Sequence, residues 1–442
     1  MDIIINSGAS LKGGLLMPPD KAICHRAVLA AAIAEGTTIL EPWPEAEDCR
    51  RTLEVVRSLG IQAAGESGKM VITGAGIDGL SRSAPEIFCG ESGTTFRLAA
   101  GLLAGQPFAS RLSASPLLSA RPMKRIVEPL LQMGCKIEAA TGGSGELCPP
   151  LLIHGKRPLQ SIRYQMPLAS AQVKSAILFA GLFADGATVV LEPRQTRDHT
   201  ERMLRAFGIA VENSAAGISV KPGTLRSPGK IFIPGDISSA AFFIVAGLCV
   251  PGSQVELSGV GLNPTRTGFL RVLERMGAKI TATVDSANSP EPSGSIRIAC
   301  GPLRAVRIDP PEVPAVIDEI PILLVAAALA EGTSVFDGLS ELRVKETDRV
   351  ESMLEGLTRL GASVRLLKRD CLEIKGGVQL TGKAVSSCDD HRTAMSLAVA
   401  AMAAEGQTRI QGAECVAKSF PDFFDRLRQL SRPELFKAVD NP

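Results

Sequence analysis

One phrase is written six times along this chain of 442 residues: a polar opening, an apolar run, a glycine and a short β-branched run. Its clearest copy is Ile317 to Phe336, IDEIPILLVAAALAEGTSVF. Asp318 and Glu319 stand where a helix dipole favours negative charge, and Pro321 suits a first turn, where its missing N–H is not needed. The run from Ile322 to Ala330 has no polar face, which predicts a helix buried on most sides. Gly332 is expected to stop that helix through a left-handed cap, and Thr333 to Phe336 reads as a strand.

The other copies are HRAVLAAAIAEGTTIL ending at Leu40, FRLAAGLLAGQPF at Phe108, VKSAILFAGLFADGATVVL at Leu191, AAFFIVAGLCVPGSQVEL at Leu257 and HRTAMSLAVAAMAAEGQTRI at Ile410. Their stop glycines, Gly36, Gly105, Gly186, Gly252, Gly332 and Gly406, lie 66 to 81 residues apart. That period is too long for a solenoid turn and describes a small domain-like unit. Between them a second phrase recurs, with leucines and methionines at helical spacing leading to Gly60, Gly134, Gly208, Gly277 and Gly361 and then to a β-branched run. It reads as an amphipathic helix turning into a strand. The last repeat ends in FFDRLRQL without such a glycine. Each unit is therefore strand, buried helix, strand, amphipathic helix, strands, and six of them predict an α/β (α+β) fold. In it buried helices are surrounded by sheet, in two lobes of three units each.

Length alone would suggest about three domains, but the repeat overrides that expectation. A net charge of +2 argues against a general binder of nucleic acid or membrane surfaces. One Trp and one Tyr leave few platforms for stacking bases. The ten cysteines include no C-x-x-C pair and no zinc-spaced cluster, so they read as reduced core residues. Met1-Asp2-Ile3-Ile4 lacks the basic start of a signal peptide, and no apolar run approaches the ~20 residues that span a bilayer. A cytoplasmic protein is expected.

The helix openings carry the chemistry. Lys21 and Arg26, in DKAICHRA from Asp20, place two cations where the dipole opposes them. Cys89 to Arg97, CGESGTTFR, offers small residues whose N–H groups can meet an anion. Arg121 precedes Pro122. Ser170, Gln172 and Lys174 supply hydroxyl, amide and ammonium groups suited to a charged, polyhydroxylated ligand, and Thr196-Arg197-Asp198-His199 can add contacts. Gly235-Asp236-Ile237-Ser238-Ser239 reads as a capping turn where the chain crosses back to the other lobe. Glu341 to Arg349, ELRVKETDR, is the densest mixed-charge stretch; its plain reading is a solvated helix in which Lys345 and Arg349 repel at i,i+4. Asp389-Asp390-His391-Arg392 opens the sixth helix, and Lys418 lies in the closing AKSFPDFF. Five of six buried helices thus begin with ionic or multiply polar groups, and their N-terminal ends are expected to converge on small anions between the lobes.

These segments resemble the 3-phosphoshikimate 1-carboxyvinyltransferase family, also called 5-enolpyruvylshikimate-3-phosphate synthase. The likeness runs through DKAICHRA, GESGTTFR, ARPM from Ala120, SAQVKSA from Ser170, IDEIP from Ile317, RVKETDR from Arg343, DDHRTAM from Asp389 and AKSFPDFF from Ala417, in the family's order. It implies a two-lobed inside-out α/β barrel of six βαβαββ units. One lobe would comprise residues 1–16 and 236–442, closed by both chain ends and carrying the catalytic carboxylates. The central lobe, 17–235, would carry most shikimate 3-phosphate contacts. The implied reaction moves the enolpyruvyl group of phosphoenolpyruvate to the 5-hydroxyl of shikimate 3-phosphate and releases phosphate, without metal or cofactor, in aromatic amino-acid biosynthesis.

By position, the resemblance gives phosphoenolpyruvate to Lys21, Gly93, Arg121, Gln172, Arg349, Arg392 and Lys418. It gives shikimate 3-phosphate to Lys21, Ala22, Arg26, Ser170, Ala171, Gln172, Thr196, Arg197, Asp318 and Lys345. Asp318 would be the general base, and Glu346 with Lys21 would serve proton transfer at the methylene carbon. The chain departs from the family at Ala22, where a serine is usual, at Glu91, where asparagine is usual, and at Pro19 and Ser119-Ala120. Two other readings share the donor: a diverged transferase acting on another phosphorylated alcohol, and UDP-N-acetylglucosamine 1-carboxyvinyltransferase, disfavoured because Leu112 to Met123 contains no cysteine. From a different class, a non-catalytic anion-binding module is disfavoured by Asp318 and Glu346, since carboxylates weaken a polyanion site. A monomer with small-molecule substrates, no nucleic acid and no membrane partner is expected.

Overall fold

An apolar run with no polar face has to be covered on every side, and the six runs are. In a computed structural model describing residues 1–8, 10–81, 84–142, 145–285 and 290–439, they form the helices Lys21–Ala32, Gly93–Ala104, Ala171–Gly181, Ile237–Cys249, Ile320–Leu329 and His391–Ala403. Every residue from Ile320 to Ala328 is buried, as is every residue from Ile237 to Leu248. The second phrase gives one-sided helices, Glu47–Ser58, Lys124–Gln132, His199–Ala206, Gly268–Arg275, Arg349–Arg359 and Phe423–Leu430.

Each pair of helices serves one of six four-stranded sheets. In the repeat around Ile320–Leu329, Arg307–Ile308 runs parallel to Thr333–Phe336, as strands joined by a helical crossover do. After Arg349–Arg359 comes the hairpin of Ser363–Lys368 and Cys371–Lys375, whose second strand pairs antiparallel with Thr333–Phe336. The architecture is mixed α/β with helices inside and small sheets outside, as the repeat predicts, and it is the inside-out barrel fold that the resemblance implies.

The glycines of the second phrase act as helix stops. Gly60, Gly134, Gly208, Gly277 and Gly361 all have φ between 83° and 93°. In each case the next residue's N–H reaches back five positions, as Ile61 to Val56 O at 3.1 Å and Ala362 to Leu357 O at 2.9 Å. The glycines of the first phrase are less uniform. Helix Ile320–Leu329 ends at an extended Ala330, and the left-handed Gly332 instead shapes the turn into the strand. Gly105 caps its helix at φ −90°, so its role is space: a Cβ there would stand 2.2 Å from the ring of Phe183.

The chain forms two compact units, Met1–Pro18 with Pro234–Ala287 and Pro292–Pro442, and Pro19–Ile233 with Asn288–Glu291. Each has its own hydrophobic core built on three buried helices. The crossings exchange strands. Lys12–Leu16 precedes the first buried helix but pairs parallel with Gln254–Gly261, while Lys230–Phe232 precedes the fourth but pairs parallel with Glu35–Glu41. Asp2–Asn6 lies between Gln407–Gln411 and Phe436–Val439, so the first strand of the chain completes its last sheet. The repeat without a stop glycine is sealed by aromatic edges, with Phe243 at 5.9 Å from Phe420 and 5.6 Å from Phe423.

Candidate active site

In the unit containing Pro19–Ile233, Asp20 caps the first buried helix, accepting from the N–H of Ala22 at 2.7 Å. Lys21 is the first helical residue, and its cation does not face the dipole alone: Nζ lies 2.8 Å from Asp48 Oδ2. The sequence shows Asp48 only as an acidic residue in the first turn of Glu47–Ser58, where the dipole already explains it. Arg26 is 2% exposed and donates to Thr200 Oγ1 at 2.7 Å, Ser175 Oγ at 2.9 Å and the Ala22 carbonyl at 2.7 Å. These acceptors are all neutral, and burial lowers the guanidinium to about 10.

Ser92 caps the next buried helix, and Gly93 follows it. A Cβ at Gly93 would stand 2.6 Å from Arg97 Nη1 and 3.3 Å from Arg121 Nη1, so two guanidinium groups close on this glycine. Arg97 Nη1 also donates to Gln172 Oε1 at 3.0 Å, and Gln172 Nε2 donates to Thr94 Oγ1 at 2.8 Å. Gly93, Arg121 and Gln172 are thus one cluster, with Arg97 and Thr94 as members absent from the residues assigned by resemblance. Ser170 caps Ala171–Gly181, and Ala171 and Gln172 are half-buried at its start.

Lys174 corrects the sequence reading. Its ammonium does not face a ligand: it is 1% exposed, 2.7 Å from Glu201 and 3.2 Å from Glu192. Glu192 in turn accepts from both the N–H and the hydroxyl of Thr196, which is buried, while Arg197 beside it is half-buried.

The other unit gathers its ions around Arg349. That guanidinium is 2% exposed, 2.5 Å from Glu346, 2.9 Å from Asp390 and 3.6 Å from Asp318. Although its burial opposes a charge, the three carboxylates outweigh this and raise its pKa. Asp390 caps His391–Ala403 and is itself lowered, burial being outweighed chiefly by Arg349. Arg392 donates to the Asp318 carbonyl at 2.8 Å and lies 3.8 Å from its carboxylate. Lys418 pairs with Asp389 at 3.1 Å, and Cys388 and Asp389 both hold left-handed backbone, a strained pair directly before Asp390.

The reading of ELRVKETDR as one solvated helix does not hold. Leu339–Val344 is a 3-10 turn, Lys345 is extended, and a new helix starts at Arg349 with Asp348 as its cap. Lys345 and Arg349 therefore share no helical face, and Arg349 is buried. The Gly235–Ser239 turn is a cap and more. Asp236 accepts from Ser238 N, while the buried Arg266 lies 3.3 Å from Asp236 and donates to Ser238 Oγ at 2.6 Å. Ser238 Oγ donates to Glu319.

Among the described residues, no group of three or more His, Cys, Asp or Glu is placed to hold a metal ion, and no helix is long and apolar enough to cross a membrane.

Residues 5–427 match the profile of a family described as EPSP synthase (3-phosphoshikimate 1-carboxyvinyltransferase). A 3-phosphoshikimate 1-carboxyvinyltransferase of Citrifermentans bemidjiense is 46% identical over 423 residues, covering 96% of this chain and 97% of that protein. One from Bacillus licheniformis is 42% identical over 424 residues, covering 96% and 98%. An EPSP synthase structure from Acinetobacter baumannii superposes with a TM-score of 0.88 at 40% identity, covering 99% of this chain and all of that one. The enolpyruvyl transferase NikO of Streptomyces tendae, at 18% identity and a TM-score of 0.78 over 100% of this chain and 99% of its own, shares the fold.

Proposed function

The chain belongs to the EPSP synthase (3-phosphoshikimate 1-carboxyvinyltransferase) family, and from that premise we infer that the two residue sets described above serve its two substrates. It is a transferase: the enolpyruvyl group of phosphoenolpyruvate passes to shikimate 3-phosphate, in the shikimate route to aromatic amino acids. The site assignments are our own reading. Lys21, Gly93, Arg121, Gln172, Arg349, Arg392 and Lys418 hold phosphoenolpyruvate. Lys21, Ala22, Arg26, Ser170, Ala171, Gln172, Thr196, Arg197, Asp318 and Lys345 hold shikimate 3-phosphate.

One observation carries this reading: Asp318 and Glu346, far apart in the chain, both turn a carboxylate to the guanidinium of Arg349. The reaction needs two proton acceptors or donors near one anionic centre. Asp318 takes the proton of the 5-hydroxyl as its oxygen bonds to C2 of phosphoenolpyruvate, and Glu346 gives a proton to the methylene carbon. The resulting tetrahedral intermediate carries a phosphate and a carboxylate, which Arg349, Arg392, Lys418, Lys21 and Arg121 stabilise. Expulsion of phosphate and return of the methyl proton to Glu346 regenerate the enol double bond in the product, with Lys21 assisting the transfer.

We read the enzyme as a monomer. We also read it as a cytoplasmic enzyme, as a biosynthetic enzyme acting on small, multiply charged anions is in general. The assignment is tested by phosphate release from phosphoenolpyruvate, with and without shikimate 3-phosphate. Release that requires shikimate 3-phosphate and collapses in both Asp318→Asn and Glu346→Gln is expected. Full release in either variant would remove that carboxylate from the mechanism.

A further inference from the structure

Lysine carries a compact, strongly hydrated charge and is almost never fully buried without a partner. Lys174, on the helix that opens with Ser170, Ala171 and Gln172, is buried against two partners. Nζ lies 2.7 Å from Glu201 Oε1 and 3.2 Å from Glu192 Oε2. The second oxygen of Glu192 accepts twice from Thr196, from its N–H at 3.2 Å and from its hydroxyl. Thr196 and Arg197 lie in the connection between the strand Thr188–Leu191 and the helix His199–Ala206. That helix also carries Thr200, whose hydroxyl accepts from Arg26. Two buried cations, Lys174 and Arg26, are thus set among two carboxylates, Glu192 and Glu201, so the group is neutral when all four are ionised.

An internal ion cluster used only for stability would have no reason to spend one carboxylate oxygen on a loop threonine. We propose that Glu192, anchored by Lys174, is a positioning residue that fixes the Thr196–Arg197 turn for shikimate 3-phosphate. The inference rests on the reading above that these two residues contact that substrate. It makes Glu192 a determinant of shikimate 3-phosphate affinity without touching the ligand. Its anchor rises from the helix whose first turn supplies Ser170, Ala171 and Gln172, so both contact segments are set by one buried connection.

Two conservative variants separate positioning from mere stability. Glu192→Gln keeps the reach and an oxygen that accepts both Thr196 bonds, but places an amide N–H₂ against the Lys174 ammonium. Glu192→Asp keeps the charge but falls short by one methylene. Steady-state kinetics with each substrate varied in turn, together with thermal unfolding, should give opposite orders. Glu192→Gln is the less stable, whereas Glu192→Asp raises the KM for shikimate 3-phosphate about tenfold. In the Asp variant, kcat and the KM for phosphoenolpyruvate stay within about twofold of the parent. In the Gln variant, the KM for shikimate 3-phosphate stays near the parent value.

Thr196→Val serves as the reference and should raise the same KM. If it does so while Glu192→Asp does not, or if the KM follows stability with Gln worse than Asp, the positioning role is overturned alone. If Thr196→Val leaves that KM unchanged, the contact assignment falls and takes the positioning role with it. Absence of shikimate 3-phosphate-dependent phosphate release from the parent enzyme would sink the activity itself, a separate failure.

Discussion

Arg26 and Arg349 are the same residue, equally buried and each near the start of a helix, yet they are held in opposite ways. Arg349 faces three carboxylates, Glu346, Asp390 and Asp318, which raise its pKa. Arg26 donates to two hydroxyls and a carbonyl, and burial lowers it to about 10. Of its five N–H groups, three are spent on neutral oxygens, which leaves charge and donors for an anion. One unit therefore keeps its central cation matched by carboxylates, two of which, Asp318 and Glu346, are the proposed acid/base pair. The other keeps its cation in direct contact with neutral oxygens alone, Glu201 acting on it only from a distance, which suits the proposed capture of a phosphorylated substrate.

The sharpest way to break this contrast is to delete the cations. Arg349→Met leaves Asp390, which is fully buried, facing no cation in contact, and should cost about 3–5 kcal/mol in denaturant unfolding and abolish phosphate release. Adding Asp390→Asn should restore part of the stability and none of the activity. Arg26→Met leaves Ser175 and Thr200 hydroxyls still bonded to each other at 2.6 Å, so its stability should fall by only about 1 kcal/mol. Equal losses in the two variants would erase the distinction between a matched and an unmatched guanidinium.

Acid should find the two units at different pH values. His25 is buried, with Nδ1 2.6 Å from Thr52 Oγ1 and Nε2 without a hydrogen-bond partner. Burial lowers its pKa from 6.5 to about 4. The folded state thus binds its proton later than the unfolded state does. Stability is intact above pH 6.5 and is lost as pH falls from there towards 4, by about 3 kcal/mol at most. Asp390 is an acid with a lowered pKa, so its contribution persists above 3.8 and is lost only as pH falls further through its folded value. Unfolding free energy measured from pH 7 to 3 should therefore decline first through His25. In His25→Gln the segment between pH 6.5 and 4 should flatten relative to the parent. A parallel decline in both proteins would deny His25 this role.

The same contrast explains what the sequence reveals and what it hides. The run from Ile322 to Ala328 announces a buried helix because no side chain in it tolerates water, and Gly60 or Gly361 announces a helix stop because the left-handed turn there suits glycine. Such signals are local. The neighbours of Arg349 are not: its carboxylates come from Glu346 nearby but also from Asp318 and Asp390, each on a different segment. Read alone, ELRVKETDR looks solvated. Lys174 misleads in the same way, since Glu192 and Glu201 lie beyond the next strand. The strand exchange that pairs Lys12–Leu16 with Gln254–Gly261 has no local mark at all. The family motifs point to the candidate residues, but the burial of Arg26 and the matching of Arg349 belong to the fold.

If Arg26, whose direct contacts are all neutral, is the cation that receives shikimate 3-phosphate, its loss should appear in that substrate's affinity. Arg26→Met removes charge-assisted bonds of about 2 kcal/mol, so the KM for shikimate 3-phosphate should rise roughly thirtyfold. The KM for phosphoenolpyruvate should move far less. A larger change for phosphoenolpyruvate would reassign Arg26 to the donor and make the two units more alike than their ion pairs suggest.

The smallest test concerns the residue beside Lys21. Ala22 stands where the family usually has serine, so under the proposed assignment this unit lacks one neutral donor that would share shikimate 3-phosphate with Arg26. The half-buried Ala22 donates its N–H to Asp20 and lends its carbonyl to Arg26, which ties the position to both the helix cap and the cation. Ala22→Ser leaves those backbone bonds intact and adds one hydroxyl at the first turn of the helix. One added hydrogen bond is worth about 1 kcal/mol, so the KM for shikimate 3-phosphate should fall about fivefold with kcat unchanged. If it instead stays constant, the hydroxyl has found Asp20 or water, and Arg26 with its remaining donors carries the substrate without help from this position.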